Sequence, residues 1–326
     1  MGEYRYTFVK FVKDWMLVLA IIAGSSIYLI YHNIPSLHAA GPVLESVCTH
    51  LQPFLLFTML FLTFTKIEPH QLKPHRWQAW LLLFQGLIFL ALALLVYFIP
   101  AIPHRIGIEA FMLCIICPTA TACAVVTGKL GGDMAGVVTY TILINLLVAV
   151  EIPLLVPLIH PVEGLNFFTA FARIMAKVFP MLILPCLLAW IIRYVFPRAQ
   201  EFLIRYAHWS FYIWSFALTL AILMSTRAIV HNENSLGLLA DIALASLLSC
   251  ILQFWAGKRI GAPRGQKITA GQALGQKNTV FAIWVGYTFM DPITSVSGGF
   301  YSLCHNIYNT WQLYRTRKAR EAAGRR

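Results

Sequence analysis

Ten apolar segments dominate the chain, at approximately 11–31, 47–65, 78–99, 107–127, 134–159, 170–195, 206–229, 236–257, 269–290 and 294–314. About 20 helical residues cross the hydrocarbon core of a bilayer. Lipid offers no partner to an unpaired backbone group, so a chain built of such runs folds as an all-α polytopic membrane protein. Charge content agrees. Only 12% of the 326 residues are charged, against about 25% in soluble domains. Arg5, Lys10 and Lys13 precede a first run long enough to stay as a span rather than be cleaved as a signal peptide.

The net charge of +12 invites a nucleic-acid partner until its distribution is traced. With the N-terminus in the cytoplasm, Lys66, Lys73, Arg76, Lys129, Arg193, Arg198 and Arg205 fall on inner segments. So do Lys258, Arg259, Arg264, Lys267 and the tail from Arg315 onward. Outer connections carry Arg105 and Arg227. That asymmetry orients both termini to the cytoplasm, and attraction to anionic lipid accounts for the rest. No nucleic-acid partner is expected. The seven cysteines follow no disulfide or zinc spacing, so neither a metal nor a cofactor is expected. Cys114 and Cys117, three apart, read as helix-packing neighbours.

Two segments are broken by polar residues at mid-depth. The fourth contains CPTATAC, Cys117 to Cys123, and the ninth contains ALGQKNT, Ala273 to Thr279. They occupy corresponding places in segments one to five and six to ten. Five is odd, so two such halves insert with opposite orientations, and paired broken helices in inverted halves point to a transport site at the midplane. Irregular backbone survives there only where protein or a watery cavity meets it. A Lys inside a span is costly and marks function, which singles out Lys277 with Gln276, Asn278 and Thr279 beside it. Thr119, Thr121 and Cys123 are their counterparts in the first break.

Other polar residues divide between transport and packing. Glu151 is an acidic group inside a span, a candidate proton relay that could partner Lys277, although Pro153 and Pro157 follow it. Asn145 and Thr141 share a face of segment five, and Thr141 has the simpler role of bonding its own helix. His305 is either pH-responsive or packed. Arg173 and Lys177, four apart, form one cationic face, either snorkelling or attracting an anionic substrate. Gln52, Thr58, Ser25 and Ser26 can line a pocket or pack helices. His160 reads as interfacial and Asp291 as a turn cap. Trp15, Trp77, Trp80, Trp209, Trp311 and Tyr314 read as interface anchors.

These motifs resemble the bile acid:sodium symporter family. The family's P-G-G-x-x-S-N run corresponds to Pro118-Thr119-Ala120-Thr121-Ala122-Cys123-Ala124. Its E-x-G-x-Q-N-S-G-L-A run aligns without gaps to Ala273-Leu274-Gly275-Gln276-Lys277-Asn278-Thr279-Val280-Phe281-Ala282. The family's mid-helix Gln of span three is matched by Gln85, and its His-Asn pair of span ten by His305-Asn306. The resemblance implies ten transmembrane helices in two inverted five-helix repeats, with helices 4 and 9 broken and crossing. It implies a core domain of residues 66–160 and 232–314, a panel domain of 1–65 and 161–231, and a basic cytoplasmic tail of 315–326. The implied substrate is an organic anion such as a bile acid or keto acid, bound between core and panel. The implied location is a cell membrane, the bacterial inner membrane in the first instance.

The departures bear on mechanism. Sodium is a hard cation that needs several oxygen ligands, which the family draws from the Ser-Asn pair, the Glu and Gln of span nine and the Gln of span three. Here those positions hold Cys123-Ala124, Ala273 and Lys277, and only Gln85 remains. A thiol and two methyl groups cannot hold sodium. An ammonium among the C-terminal carbonyls of a broken helix can supply the missing positive charge, donating to Gln85, to free carbonyls and to Thr121. A second register sets Gln272 at the Glu and Gln276 at the Gln, and keeps Lys277 at the crossing. The expectation is a sodium-independent organic-anion transporter, with protons as a candidate coupling ion if Lys277 releases its proton, and uniport or exchange if it does not. The alternatives are a sodium-coupled symporter and a cation/proton antiporter. The latter needs an acid at the crossing, whereas Asp133 and Asp241 lie at span ends. No catalytic constellation supports an enzyme.

Overall fold

Proline, glycine and a few capping side chains divide the apolar runs into helices. The computed structural model describes residues 15–231 and 236–323, so Arg5, Lys10, Lys13, Arg325 and Arg326 lie outside the described residues. The helices are α1 (Met16–Asn33), α2 (Gly41–Phe64), α3 (Arg76–Phe98), α4 (Arg105–Ile116), α5 (Cys123–Leu130), α6 (Met134–Ile159) and α7 (Phe167–Val195). They continue with α8 (Pro197–Tyr206), α9 (Ser210–Val230), α10 (Leu236–Gly261), α11 (Lys267–Gly275), α12 (Thr279–Phe289) and α13 (Val296–Ala323). Among the described residues, seven helical stretches are long and apolar enough to cross a membrane unaided, with α8 and α9 counted as one. The protein is therefore a multi-pass, all-helical membrane protein.

Local chemistry sets the helix starts. The His75 backbone N–H donates to Gln78 Oε1 at 2.7 Å, a reciprocal cap that begins α3 where the apolar run begins. Asn166 Oδ1 accepts from the Thr169 N–H at 2.9 Å and opens α7. Asp291 Oδ1 accepts from the Ile293 N–H in the turn after α12. Pro153, Pro157, Pro180 and Pro185 lie inside α6 and α7 without ending them, as membrane helices tolerate.

Helices α1, α2, α7 and α9 pack on one another, while α3, α4, α6, α10, α11 and α13 surround the two breaks. A close backbone approach joins α10 to α11. A Cβ on Gly257 would lie 2.5 Å from the Ala270 carbonyl oxygen, and one on Gly261 would lie 2.4 Å from that of Gln266. Two glycines four apart open one face of α10 so that a second backbone can rest on it.

One end of this group is tied by charge. Glu109 of α4 is fully buried; its Oε1 accepts from Arg105 Nε at 2.7 Å and His160 Nε2 lies 2.9 Å from Oε2. Arg105 also donates to the carbonyl of Ile159 at 2.8 Å and to that of Pro100 at 3.2 Å. His104 Nδ1 lies 2.6 Å from Asp241 Oδ2, adding α10 to the strap. Removing one partner of a buried ion pair costs about 3–5 kcal/mol. Arg105→Ala is expected to destabilise the protein by about 3 kcal/mol, the low end because Arg105 is about one-third exposed. Arg105→Met with Glu109→Met should recover most of it. Thermal unfolding in detergent measures both, and a single variant as stable as the double would contradict the account.

Several sequence expectations change here. His160 is a partner of a buried carboxylate rather than a freely interfacial group. Trp77, expected as an interface anchor, is 2% exposed and stacked obliquely against Tyr140, while Trp15, Trp80, Trp209, Trp311 and Tyr314 remain about half exposed. The tail from 315 continues α13 to Ala323. The amphipathic α8 stands where no element was expected. It exposes Phe202, Ile204 and Tyr206, and Gln200 donates to the Thr65 carbonyl, a pattern suited to lying along an interface.

Candidate functional site

The two breaks meet. Pro118 lacks an N–H and biases Cys117 towards extended backbone, and Cys117 has φ −51° and ψ 133°. Beyond Gly275 the second chain extends at Gln276, with φ −95° and ψ 101°. Thr119 and Lys277 then pair as an isolated antiparallel bridge. The Ala120 N–H donates to the Gln276 carbonyl at 2.9 Å and the Asn278 N–H to that of Pro118 at 2.8 Å. Thr119 Oγ1 donates to the Ala273 carbonyl at 2.8 Å and Cys117 Sγ to that of Asn278 at 2.7 Å. Each break thereby satisfies backbone groups that the other's helix ends leave open.

Lys277 is 2% exposed. Its Nζ donates to Gln85 Oε1 at 2.9 Å and to the Ile115 carbonyl at 3.1 Å. Ile115 belongs to the last turn of α4, where the helix dipole is negative and favours a cation. Gln85 is the hub of the arrangement. Its Nε2 donates to the carbonyls of Ile116 and Cys117 at 3.0 and 3.2 Å, and its Oε1 also accepts from Tyr140 OH at 3.1 Å. An ammonium only donates, so Lys277 fixes which end of the amide faces it.

A second Gln–Tyr pair stands on the opposite side. Gln253 Nε2 donates to the Cys114 carbonyl at 3.2 Å, to Ser249 Oγ at 3.0 Å and to Tyr301 OH at 3.1 Å. Tyr301 in turn donates to the Gly275 carbonyl at the end of α11, at 2.9 Å. Sequence reasoning passed over Gln253, Tyr140, Tyr301 and Glu109. Gln253 is a mid-span polar residue like Gln85, and Arg105 with Glu109 is an i, i+4 opposite-charge pair, so both carried a signal.

The remaining candidates divide. Asn278 Oδ1 caps α12 by accepting from the Phe281 N–H at 3.3 Å, and Thr279 is the buried first residue of that helix. Cys123 is buried, with Sγ 3.9 Å from Thr127 Oγ1. Ala273 is buried and Ala124 partly so, and Thr121 is partly exposed. Lys277 makes its hydrogen bonds to Gln85 and Ile115 rather than to Thr121. Asn145 is 2% exposed, and neither of its amide atoms has a hydrogen-bond partner. Gln276 Oε1 and Asn278 Nδ2 are likewise buried and unpartnered. Gln272 Nε2 donates to Asn309 Oδ1, and Thr141 bonds the Val137 carbonyl of its own helix.

Glu151 does not pair with Lys277. Its carboxylate lies against α3, with Oε1 2.6 Å from where a Cβ on Gly86 would stand. His305 is buried edge-on to Tyr301, with ring centroids 5.6 Å apart and Nδ1 unpartnered. Asn306 donates back to the Ser302 carbonyl at 2.7 Å. Lys177 and Arg173 are exposed, and Lys177 Nζ lies 5.8 Å from the centre of the Phe289 ring.

A profile of the Sodium Bile acid symporter family matches residues 53–232, more than half of the chain. The chain belongs to the sodium bile acid symporter family. The match takes in Gln85 and the first break and ends before the second. Comparison with curated proteins gives no significant match. As a member of a transporter family, this protein has a substrate and a lipid environment. The symporter-family assignment therefore rests on residues 53–232, while Lys277 lies in the stretch beyond.

Proposed function

We propose that this symporter-family member is a secondary transporter of an organic anion, working by alternating access without sodium. Lys277 carries the positive charge that a bound sodium ion brings to relatives with the full oxygen set. The supporting observation is the ammonium seated on Gln85 Oε1 and the Ile115 carbonyl, where the family pattern offers oxygen ligands. The chain itself has Ala273 and Cys123-Ala124 at the other family sodium positions.

The proposed architecture is ten transmembrane helices in two inverted repeats, with α4–α5 and α11–α12 each counted as one broken span. Support comes from the Gln85–Tyr140 and Gln253–Tyr301 pairs, each joining the first and last helix of a three-helix unit around a break. The packing of α1, α2, α7 and α9 favours the panel of 1–65 and 161–231, and the rest favours the core of 66–160 and 232–314. Both termini face the cytoplasm of a cell membrane in this reading, and the protein is not an enzyme. The polar atoms that lack partners on Asn145, Gln276 and Asn278 are the candidate substrate contacts, with Thr119, Thr121, Cys123 and Thr279 around them. Glu151, His305 and Asn306 are more distant candidates.

Uptake of bile acids and keto acids by reconstituted protein tests this, with and without sodium, between about pH 5.5 and 8. Uptake equal in the two salts is expected. A pH-dependent rate would identify proton coupling, and a flat one exchange or uniport. Strict dependence on sodium would overturn the ammonium-for-sodium reading.

A further inference from the structure

The groove between α10 and α13 faces away from the crossing and combines two chemistries. It is a half-open groove with room for about 820 Å³, the size of a small-molecule site. Its apolar wall is formed by Leu247, Ile251, Phe254 and Ile307, and Ile251 and Ile307 are more than half exposed. Its mouth lies where α10 ends and α11 begins, and there it carries Lys258, Arg259 and Lys267. Among the described residues, no Asp or Glu lines it. Trp255 and Trp311 stand beside the mouth, each about half exposed, as aromatic residues do at headgroup depth.

The cations are organised. Lys258 Nζ donates to Tyr308 OH and to Gln312 Oε1, which fixes it at the base of the mouth. The Arg259 guanidinium lies 5.7 Å from the Trp255 ring centre, and Lys267 completes the set. Three cations around an apolar trough complement a molecule with an anionic head and an aliphatic body. Basic pockets between membrane helices on the cytoplasmic side hold such headgroups. A transported solute would have to pass Phe254 and Tyr301, which are buried between this groove and the crossing.

We infer that this groove is a binding site for one anionic phospholipid, its phosphate at Lys258, Arg259 and Lys267 and an acyl chain along Ile251 and Ile307. Native mass spectrometry of the purified full chain tests it, with phosphatidylglycerol against phosphatidylcholine and with glycerol phosphate as the headgroup alone. Each cation near a lipid surface contributes about a factor of five. Lys258→Gln, Arg259→Gln and Lys267→Gln together should weaken phosphatidylglycerol binding roughly 100-fold. Lys73→Gln, Lys129→Gln and Arg198→Gln together, all exposed and outside the groove lining, should leave it unchanged. Glycerol phosphate should neither bind measurably nor compete. Equal retention of the two lipids, equal loss in both triple variants, or competition by glycerol phosphate would each overturn the proposal. Ile307→Arg, which blocks the apolar part and leaves the cations, covers the case where the triple variant fails to fold; it should also lose the lipid, and retention would count against the site.

Discussion

Lys277→Gln is expected to lower sodium-free uptake about 10- to 150-fold while leaving the fold in place. Hydrogen bonds to charged groups are worth about 1.5–3 kcal/mol, and each 1.36 kcal/mol is a factor of ten in rate. An amide can still donate to Gln85 Oε1 or to the Ile115 carbonyl, but it brings no charge to the end of α4. Stability should move much less. Taking an ammonium out of a site that is 2% exposed relieves a desolvation cost, and replacing buried charge with a neutral group of similar volume is often close to neutral. The discriminating result is therefore a split between transport and unfolding temperature, measured on the same preparation. A variant that loses both would point to a scaffold role. Sodium should not rescue Lys277→Gln alone, because Ala273 and Cys123-Ala124 still offer no side-chain oxygen. Rescue is expected only once Ala273→Glu, Cys123→Ser and Ala124→Asn are added.

Gly257→Val should be the most damaging single change to the scaffold. Even the Cβ of alanine would meet the Ala270 carbonyl oxygen at 2.5 Å and the Gly271 Cα at 2.9 Å. Backbone atoms cannot swing aside as a side chain would. Overpacking costs about 1–3 kcal/mol and at times more; here about 3 kcal/mol or more is expected, because α10 and α11 must separate along their length. Moving α11 also moves Gln276 and Lys277, so uptake should fall with stability. Gly265→Ala is the comparison. Its φ of +68° penalises a side chain, yet nothing lies within 4 Å of the added Cβ, so about 1–2 kcal/mol is expected. Unfolding of the three proteins in detergent gives the order, and equal stability of Gly257→Val and Gly265→Ala would contradict the close-packing account.

The legible part of this molecule was whatever hydropathy and punctuation write directly. Met134–Ile159 stands at the limits its apolar run suggested, and the interruptions at Pro118 and Gly275 fall at the ends of real helices. Partnerships were harder to read. Cys117 looked like a packing neighbour of Cys114, yet its thiol reaches the Asn278 carbonyl. Glu151 was open to pairing with Lys277 or to accepting a proton alone, but its position on α6 aims it at Gly86 of α3. Helix rotation sets such directions, and runs that are apolar all round carry little periodic signal to fix rotation. The amphipathic α8 was missed for the opposite reason, since a search for long apolar runs steps over a short polar-faced helix.

The pairing of the two breaks also constrains how the protein is made. Thr119 and the carbonyl it serves at Ala273 are 154 residues apart in the chain. At about 5–20 residues per second, the second break leaves the ribosome roughly 8 to 30 s after the first. Throughout that interval the backbone around Pro118 and Ala120 lacks its native partners. In hydrocarbon that state is costly, so the unpaired break between α4 and α5 must wait beside water or the insertion machinery rather than in open lipid. Completion of the first half is thus tied to arrival of the second.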